Sequence, residues 1–315
     1  MSVSQPPLRV LYNASAVPRR PAGAGVYTVE LARALAARED IDLTVASPWK
    51  GMPGDHQLRS PRGPAAVRTA WEFGRLPRLG AHLDSELYHG PHFTVPLGLG
   101  IPSVATVHDL TFMRLGRRYS LPHRAYYRMI AESARRATRI IVPSRAVATD
   151  MAERLTYPAA NIHVVAEAAR PSFAPVERSA ARKLVAERYG LEQDYFLMVG
   201  TLEAGKRMVD AVRAISLLPE GQARKPQLVL AGLGPLRAGL EREARRLKVA
   251  DRVLFPGYVP TRDLPAMLSG SIALLFLSLW EGFGLPPVEA MACGTPVICT
   301  VVPALNDLHQ GVAIF

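Results

Sequence analysis

Cysteine is nearly absent: the 315 residues include two, Cys293 and Cys299. Two cysteines build no disulfide framework, so stability must come from a packed core, and a reducing, cytoplasmic setting is expected. No apolar run approaches the roughly 18–20 residues that span a bilayer, and the longest, SIALLFLSLW, reads as a buried strand. The opening MSVSQPPLRV lacks the charged start and apolar stretch of a secretory leader. Acidic side chains are also few, 27 against 38 Lys and Arg, for a net charge of +11. Aromatics make up only 7%, but 49% of residues are hydrophobic, which excludes a disordered chain.

The basic excess is uneven. Residues 1–168 carry 21 Lys and Arg against 13 Asp and Glu, and the remainder 17 against 14. Segment 114–139 concentrates it: Arg114, Arg117, Arg118, Arg124, Arg128, Arg135, Arg136 and Arg139 stand beside one acid, Glu132. Tyr126, Tyr127, Met129 and Ile130 lie among these charges on a stretch that reads as helix. Such a segment suits an anionic membrane surface, an anionic acceptor or nucleic acid; a plain solvated arginine face has the same composition. No nucleic-acid recognition motif accompanies it, and no nucleic-acid partner is expected.

What is present in quantity is alternation of strand and helix. LRVLYN, DLTVAS, ELYH, SVATVH, RIIVP and NIHVVA read as strands. Between them GVYTVELARALAAR, with Val26, Val29, Ala32 and Leu35 on one face, HRAYYRMIAESARRA and SRAVATDMAERL read as helices. ARPSFAPVER interrupts the pattern, and residues 169–190 are predicted to be a linker. Alternation restarts with DYFLMVGT and runs to TPVICT. The fold class is therefore α/β, with two Rossmann-like domains at 1–168 and 191–315 facing across a cleft.

The sharpest constellation is the segment Ser278 to Gly294, SLWEGFGLPPVEAMACG. An apolar strand ends near Ser278, Pro286 and Pro287 suit a first helical turn, and Gly294 suits its stop. Glu281 then leaves the strand's carboxyl end while Glu289 lies one or two turns into the helix. Amides of Gly282, Phe283, Gly284 and Leu285 can converge on an anion at the helix start. Two carboxylates flanking an anion pocket fit a sugar and a ribose joined by diphosphate.

This segment resembles the E-x7-E region of family 4 retaining glycosyltransferases of the GT-B fold. RPAGAGVYTVELARAL, HGPHFTVPL, VATVHDLTFMRLGRRYS, RIIVPSRAVATDMAERL and YFLMVGTLEAGKRMVDAV agree with that family in order, and mannosyltransferase-like members of polysaccharide pathways agree best. The resemblance implies transfer of a hexose, mannose-like, from a nucleotide-diphosphate sugar to a saccharide or lipid-linked acceptor, with retention and without a metal. It places Glu281 on the transferred sugar and Glu289 on the nucleotide ribose. His108 and Asp109 would sit over the sugar, and Lys206 would neutralise the departing diphosphate. Gly23 and Gly25 would let the backbone approach that diphosphate, and Gly257, Tyr258 and Val259 would border the base. The implied site of action is cytoplasmic, peripheral at the inner membrane face.

The chain also departs from the family pattern. Ala204-Gly205 precede Lys206 where relatives carry proline and arginine, and Thr201 stands where many carry a phosphate-binding arginine; Arg207 is the nearest compensating cation. The family continues through further helices beyond GVAIF, so a C-terminally truncated second domain is expected. A weakly active or inactive relative that binds nucleotide or a partner is the competing reading. A sugar-nucleotide epimerase is disfavoured because the matching segments are transferase loops.

Overall fold

The computed structural model describes residues 6–114, 121–218, 225–309, 311, 313 and 314. The chain divides into two compact units, Met1–Glu167 and Ala168–Phe315. Each is built around an all-parallel sheet.

In the first unit the strands are β1 (Leu8–Asn13), β2 (Ile41–Ser47), β3 (His56–Arg59), β4 (Leu87–Gly90), β5 (Ser103–Thr106), β6 (Arg139–Val142) and β7 (Ile162–Val164). They lie in the order β3-β2-β1-β4-β5-β6-β7. Among the described residues they are connected by α1 (Ala24–Ala36), α2 (Ala65–Gly74), α3 (Leu76–His82), α4 (Thr111–Arg114), α5 (Leu121–Ala134) and α6 (Arg145–Arg154). Both faces of the sheet are covered, which is why its strands read as apolar runs. Val10, Tyr12, Leu43 and Val45 pack on one face with Val29, Leu31 and Leu35 of α1. Leu11, Tyr88, Ala105, Ile140 and Val142 pack on the other with Ile130, Ala134, Val147 and Met151 from α5 and α6. Each Val, Leu, Ile or Met side chain among these, taken fully out of water, contributes roughly 1.5–3 kcal/mol. The start of α6 follows from Ser144, whose hydroxyl accepts from the Val147 amide.

The second unit opens with α7 (Arg178–Tyr189) and continues through β8 (Tyr195–Val199), α8 (Met208–Ser216), β9 (Gln227–Ala231), α9 (Arg237–Arg246), β10 (Val253–Gly257), α10 (Leu264–Ser269), β11 (Ala273–Phe276), α11 (Leu285–Ala292), β12 (Val297–Cys299) and α12 (Pro303–His309). Its strand order is β10-β9-β8-β11-β12. Residues 169–190 are not a free linker. Phe173, Val185 and Leu191 are buried in one core layer with Leu197, Met267, Leu274 and Ala290, so the apolar side chains between the prolines anchor this stretch to the second unit. Beyond β12, Ile314 bridges Ile298 in parallel and prolongs the sheet past the TPVICT strand.

β3, α2 and α3 escape the sequence pattern. β3 is an exposed edge strand with no apolar alternation, and α2 and α3 lie in an Arg- and Gly-rich run where Pro77 opens the second helix rather than breaking the first. Among the described residues, no helix is long and apolar enough to cross a membrane.

Candidate functional site

Strand order reverses between β8 and β11 in the second unit, and loops leaving the carboxyl ends of such strands diverge to opposite faces of the sheet. The loop after β8 carries Thr201 and Lys206; the loop after β11 carries Glu281. They meet. Lys206 Nζ donates to Glu281 Oε1 at 2.5 Å, and the Leu279 amide donates to the Gly205 carbonyl at 2.9 Å. Lys206 also lies 5.3 Å from the centroid of the Phe276 ring, so its ammonium is held by a carboxylate and a ring face. The pair is part-buried, with side-chain exposures of 25% and 16%.

The loop after β11 reaches α11 through Gly284, whose φ of 106° only glycine adopts without strain. Gly282, Phe283 and Gly284 are buried. Pro286 and Pro287 occupy the second and third helical positions and carry no amide hydrogen, so this helix start offers the amides of Leu285 and the loop before it. Glu289 lies in the second turn, 9% exposed. Arg170, absent from the sequence-based candidates, donates from Nη2 to Glu289 Oε1 at 3.0 Å. Burial pushes the Glu289 carboxyl upward, and the Arg170 hydrogen bond and charge pull it part of the way back. One turn on, burial and the Glu289 charge push the Cys293 thiol up to about 11, which leaves it protonated and inert.

The sequence reading also missed two glycines after β9. A Cβ at Gly232 would lie 1.9 Å from the Gly200 carbonyl oxygen, and one at Gly234 2.5 Å from the Leu202 backbone nitrogen. The loops after β8 and β9 therefore touch backbone to backbone; the AGLG run was the signal that marked this. Thr201 is exposed beside them.

Three other candidates in this unit sit differently from expectation. Arg207 does not reinforce Lys206: it adopts a left-handed φ of 51° at the start of α8 and pairs with Asp210 in the same turn. Val259 is 6% exposed and belongs to the core, so its side chain is unavailable to border a base. Gly257 ends β10 with φ 76°, and Tyr258 beside it is 41% exposed.

In the first unit the order reverses between β1 and β4. Gly23 precedes α1 with φ 50°, and Gly25 lies in its first turn against Pro18 and Pro21, with 3.3 Å to the nearer ring from an added Cβ. His108 follows β5 and is clamped at both nitrogens. Nδ1 faces Glu167 Oε1 at 3.0 Å and Nε2 faces the Pro91 carbonyl at 2.9 Å, while the Tyr27 ring meets the imidazole edge-on at 4.7 Å. Both partners are acceptors, so a neutral ring satisfies one of them and a doubly protonated ring satisfies both. Asp109 makes a local bond: its Oδ1 accepts from the Thr111 amide at 2.8 Å at the start of α4. His89 and His92, close by, are each pushed down to about 4, by burial first and the charge of His108 second.

The arginine segment is only partly a surface patch. Arg117 and Arg118 lie outside the described residues. Arg114 instead chelates the fully buried Asp150 with Arg154 beside it, a structural pairing. Arg128, Arg135, Arg136 and Arg139 are exposed, with Met129 among them; Arg135 pairs with Glu132 at 2.8 Å.

Comparison with known proteins fits both halves of the chain. Residues 21–169 match the Glycosyltransferase Family 4 model and residues 183–309 the Glycosyl transferases group 1 model. O-antigen chain mannosyltransferase B of Escherichia coli is 31% identical over 230 residues, covering 70% of this chain and 58% of that protein. The 2-deoxystreptamine glucosyltransferase of Streptomyces kanamyceticus is 29% identical over 236 residues, covering 72% of this chain and 60% of that protein. The chain thus spans under two thirds of the length of these relatives. Among solved structures, WaaG, a glycosyltransferase involved in lipopolysaccharide biosynthesis, superposes with a TM-score of 0.76 at 17% identity, covering 95% of this chain and 83% of that one. Anabaena HepE in complex with UDP and glucose gives 0.73 at 18% identity, covering 96% and 83%. With two doubly wound parallel-sheet units, each matched to its own domain model, the chain belongs to the family 4 glycosyltransferases of the GT-B fold.

Proposed function

We propose that this protein transfers a hexose, mannose-like, from a nucleotide-diphosphate sugar to a saccharide or lipid-linked acceptor in polysaccharide or glycoconjugate synthesis. The observation that carries this reading is the Lys206–Glu281 pair at the reversal point of the second sheet, beside the amide-rich entry to α11. A nucleoside diphosphate leaving group gains negative charge as the glycosidic bond breaks, and fixed cations and amides are the groups that stabilise it. Lys206 supplies the cation, and the Gly282–Leu285 backbone supplies amides. Glu281 accepts from sugar hydroxyls once the diphosphate takes over Lys206, and Glu289 accepts from the ribose. Retention follows from same-face attack with no enzyme nucleophile, so the paired carboxylates do not act as they do in glycoside hydrolases. No metal is invoked. The mannosyltransferase name of the Escherichia coli relative supports the choice of sugar.

The test is a donor screen across sugar nucleotides, read as release of nucleoside diphosphate with and without cell-derived lipid acceptor. Donor-dependent release that rises with acceptor supports the proposal. Calorimetry showing that UDP, GDP and ADP all fail to bind overturns it. A second reading, a relative that binds nucleotide and turns over poorly, is favoured by one observation: Arg207 is committed to Asp210, which leaves Lys206 as the cation of that loop. Intact nucleotide binding with no transfer to a broad acceptor panel selects it.

The exposed arginines 128, 135, 136 and 139, with Met129, are proposed to rest on an anionic membrane at the cytoplasmic face. Co-sedimentation with anionic liposomes that weakens with salt is expected, and equal association with neutral liposomes contradicts it.

A further inference from the structure

Arg170 and Glu289 stand 119 positions apart in sequence and share one hydrogen bond, from Nη2 to Oε1 at 3.0 Å. Both are largely withdrawn from water, with side-chain exposures of 17% and 12%. The guanidinium lies 4.8 Å from the centroid of the Phe173 ring, itself 4% exposed, which fixes the plane of the guanidinium. The pairing is one-armed. A guanidinium commonly grips a carboxylate through two parallel N–H groups, yet here Arg170 Nε is buried with no acceptor among the described residues. One oxygen of Glu289 is used, and Oε2 is left outside the pair.

We propose that Arg170 is a positioning residue of the nucleotide site: it keeps Glu289 ionised and turned by Oε1, so that Oε2 accepts from a hydroxyl of a nucleoside diphosphate. This rests on the reading of Glu289 as a hydroxyl-binding group. A carboxylate this deeply buried pays a desolvation penalty that an adjacent cation offsets. Without Arg170 the side chain protonates more readily, and a carboxyl that carries its proton on Oε2 donates there instead of accepting from that hydroxyl. The group is otherwise electrically quiet. Cys293 just past its helix and Cys299 of β12 are thiols raised by burial, and α10 and β11, which also pack on α11, carry no titratable side chain. The nucleotide's terminal phosphate titrates at roughly pH 6 for every variant alike, so acid sensitivity in Arg170→Ala beyond that of wild type reports Glu289.

The experiment is calorimetric titration of UDP, GDP and ADP between pH 5.5 and 8 into wild type, Arg170→Ala, Arg170→Lys and Arg188→Ala. Arg188 pairs with Asp263 elsewhere in the same unit and serves as the control. For the nucleotide that wild type binds, Arg170→Ala is expected to bind about tenfold more weakly at pH 7, the loss of one charge-assisted hydrogen bond. Its affinity should recover as pH rises and Glu289 ionises. Arg170→Lys should restore most of the loss, and Arg188→Ala should match wild type. Where Arg170→Ala fails to fold by circular dichroism, Arg170→Gln, which keeps a donor but no charge, gives the same readout. Arg170→Ala, or Arg170→Gln in its place, within twofold of wild type and with an unchanged pH profile overturns the inference. A wild-type chain that binds none of the three nucleotides overturns the reading of Glu289 instead.

Discussion

The two units share one topology and gather different side chains with it. Each has a parallel sheet whose order reverses beside its first strand, between β1 and β4 in one and between β8 and β11 in the other. In the second unit the reversal gathers formal charge, Lys206 on Glu281, with Arg170 on Glu289 in the neighbouring helix. In the first it gathers imidazoles and hydroxyls: His89 on Thr106, His108 on Glu167 and Pro91, and Tyr27 against His108. Topology places a site but does not choose its chemistry. Cations and amides gathered at one sheet end suit an anionic leaving group, whereas His108 has both nitrogens taken by acceptors of its own unit.

That division is broken most severely at Lys206. Lys206→Ala is expected to lower transfer by about 10²–10³, the scale of removing one preorganised electrostatic contact in a transition state. It also leaves Glu281 without its cation, so nucleoside diphosphate affinity should fall as well. Steady-state transfer rates with calorimetric binding check both; unchanged transfer would remove Lys206 from the proposed mechanism.

A variant in the first unit should separate the two chemistries. Glu167→Gln keeps an acceptor for His108 but removes its charge. Transfer is expected to drop about tenfold, as when one hydrogen bond to a charged group is weakened, while nucleoside diphosphate affinity stays as in wild type. An equal loss in both measurements would show that the two units do not divide the work.

Much of this comparison was legible in the sequence because it rests on period and punctuation. The apolar runs of β1, β8 and β11, and the Glu281–Glu289 spacing with Pro286, Pro287 and Gly294, mark strand, loop and helix in the sequence alone. Side-chain partnerships were not legible. Arg170 lies in a stretch that reads as linker because its prolines hide an anchored segment, Glu167 falls just before it in the first domain, and nothing local links either residue to Glu289 or His108. Val259 looked like a site residue by position, yet the core claims its side chain, and the bond from the Thr111 amide to Asp109 was equally unmarked in the sequence. Local pattern reports which face a residue occupies; it does not report which distant residue meets it there.

Acid should also separate the units. His89 is 7% exposed and pushed down to about 4, so below its ordinary value of 6.5 the unfolded chain takes up a proton that the folded chain refuses. Its contribution is complete above about pH 6.5 and is lost toward pH 4, about 2 kcal/mol between pH 7 and 5. Glu289 has the opposite sign: its folded value is raised, so its contribution is present in acid and is lost as pH rises through that value. Urea unfolding followed by fluorescence in a Trp280→Phe background leaves Trp49 and Trp71 as reporters in the first unit. The acid-induced loss should shrink in His89→Gln; an unchanged loss would assign it to other groups.

The smallest effect is expected where sequence alone suggested a large one. Arg207 follows Lys206 directly, in a loop whose family pattern carries more cations than this chain does, and its proximity invites a compensating role. The backbone decides otherwise. A left-handed φ at Arg207 turns its side chain into the first turn of α8, where Asp210 takes the guanidinium, and the group is 47% exposed. An exposed pair of this kind is screened by water and contributes little to a neighbouring charge. Arg207→Ala should therefore leave nucleoside diphosphate affinity and transfer within about twofold of wild type, as surface substitutions away from a site commonly do. A loss approaching that of Lys206→Ala would mean that the guanidinium leaves Asp210 when the diphosphate arrives. The loop after β8 would then act with two cations rather than one, and the contrast between the units would be larger than the unliganded geometry displays.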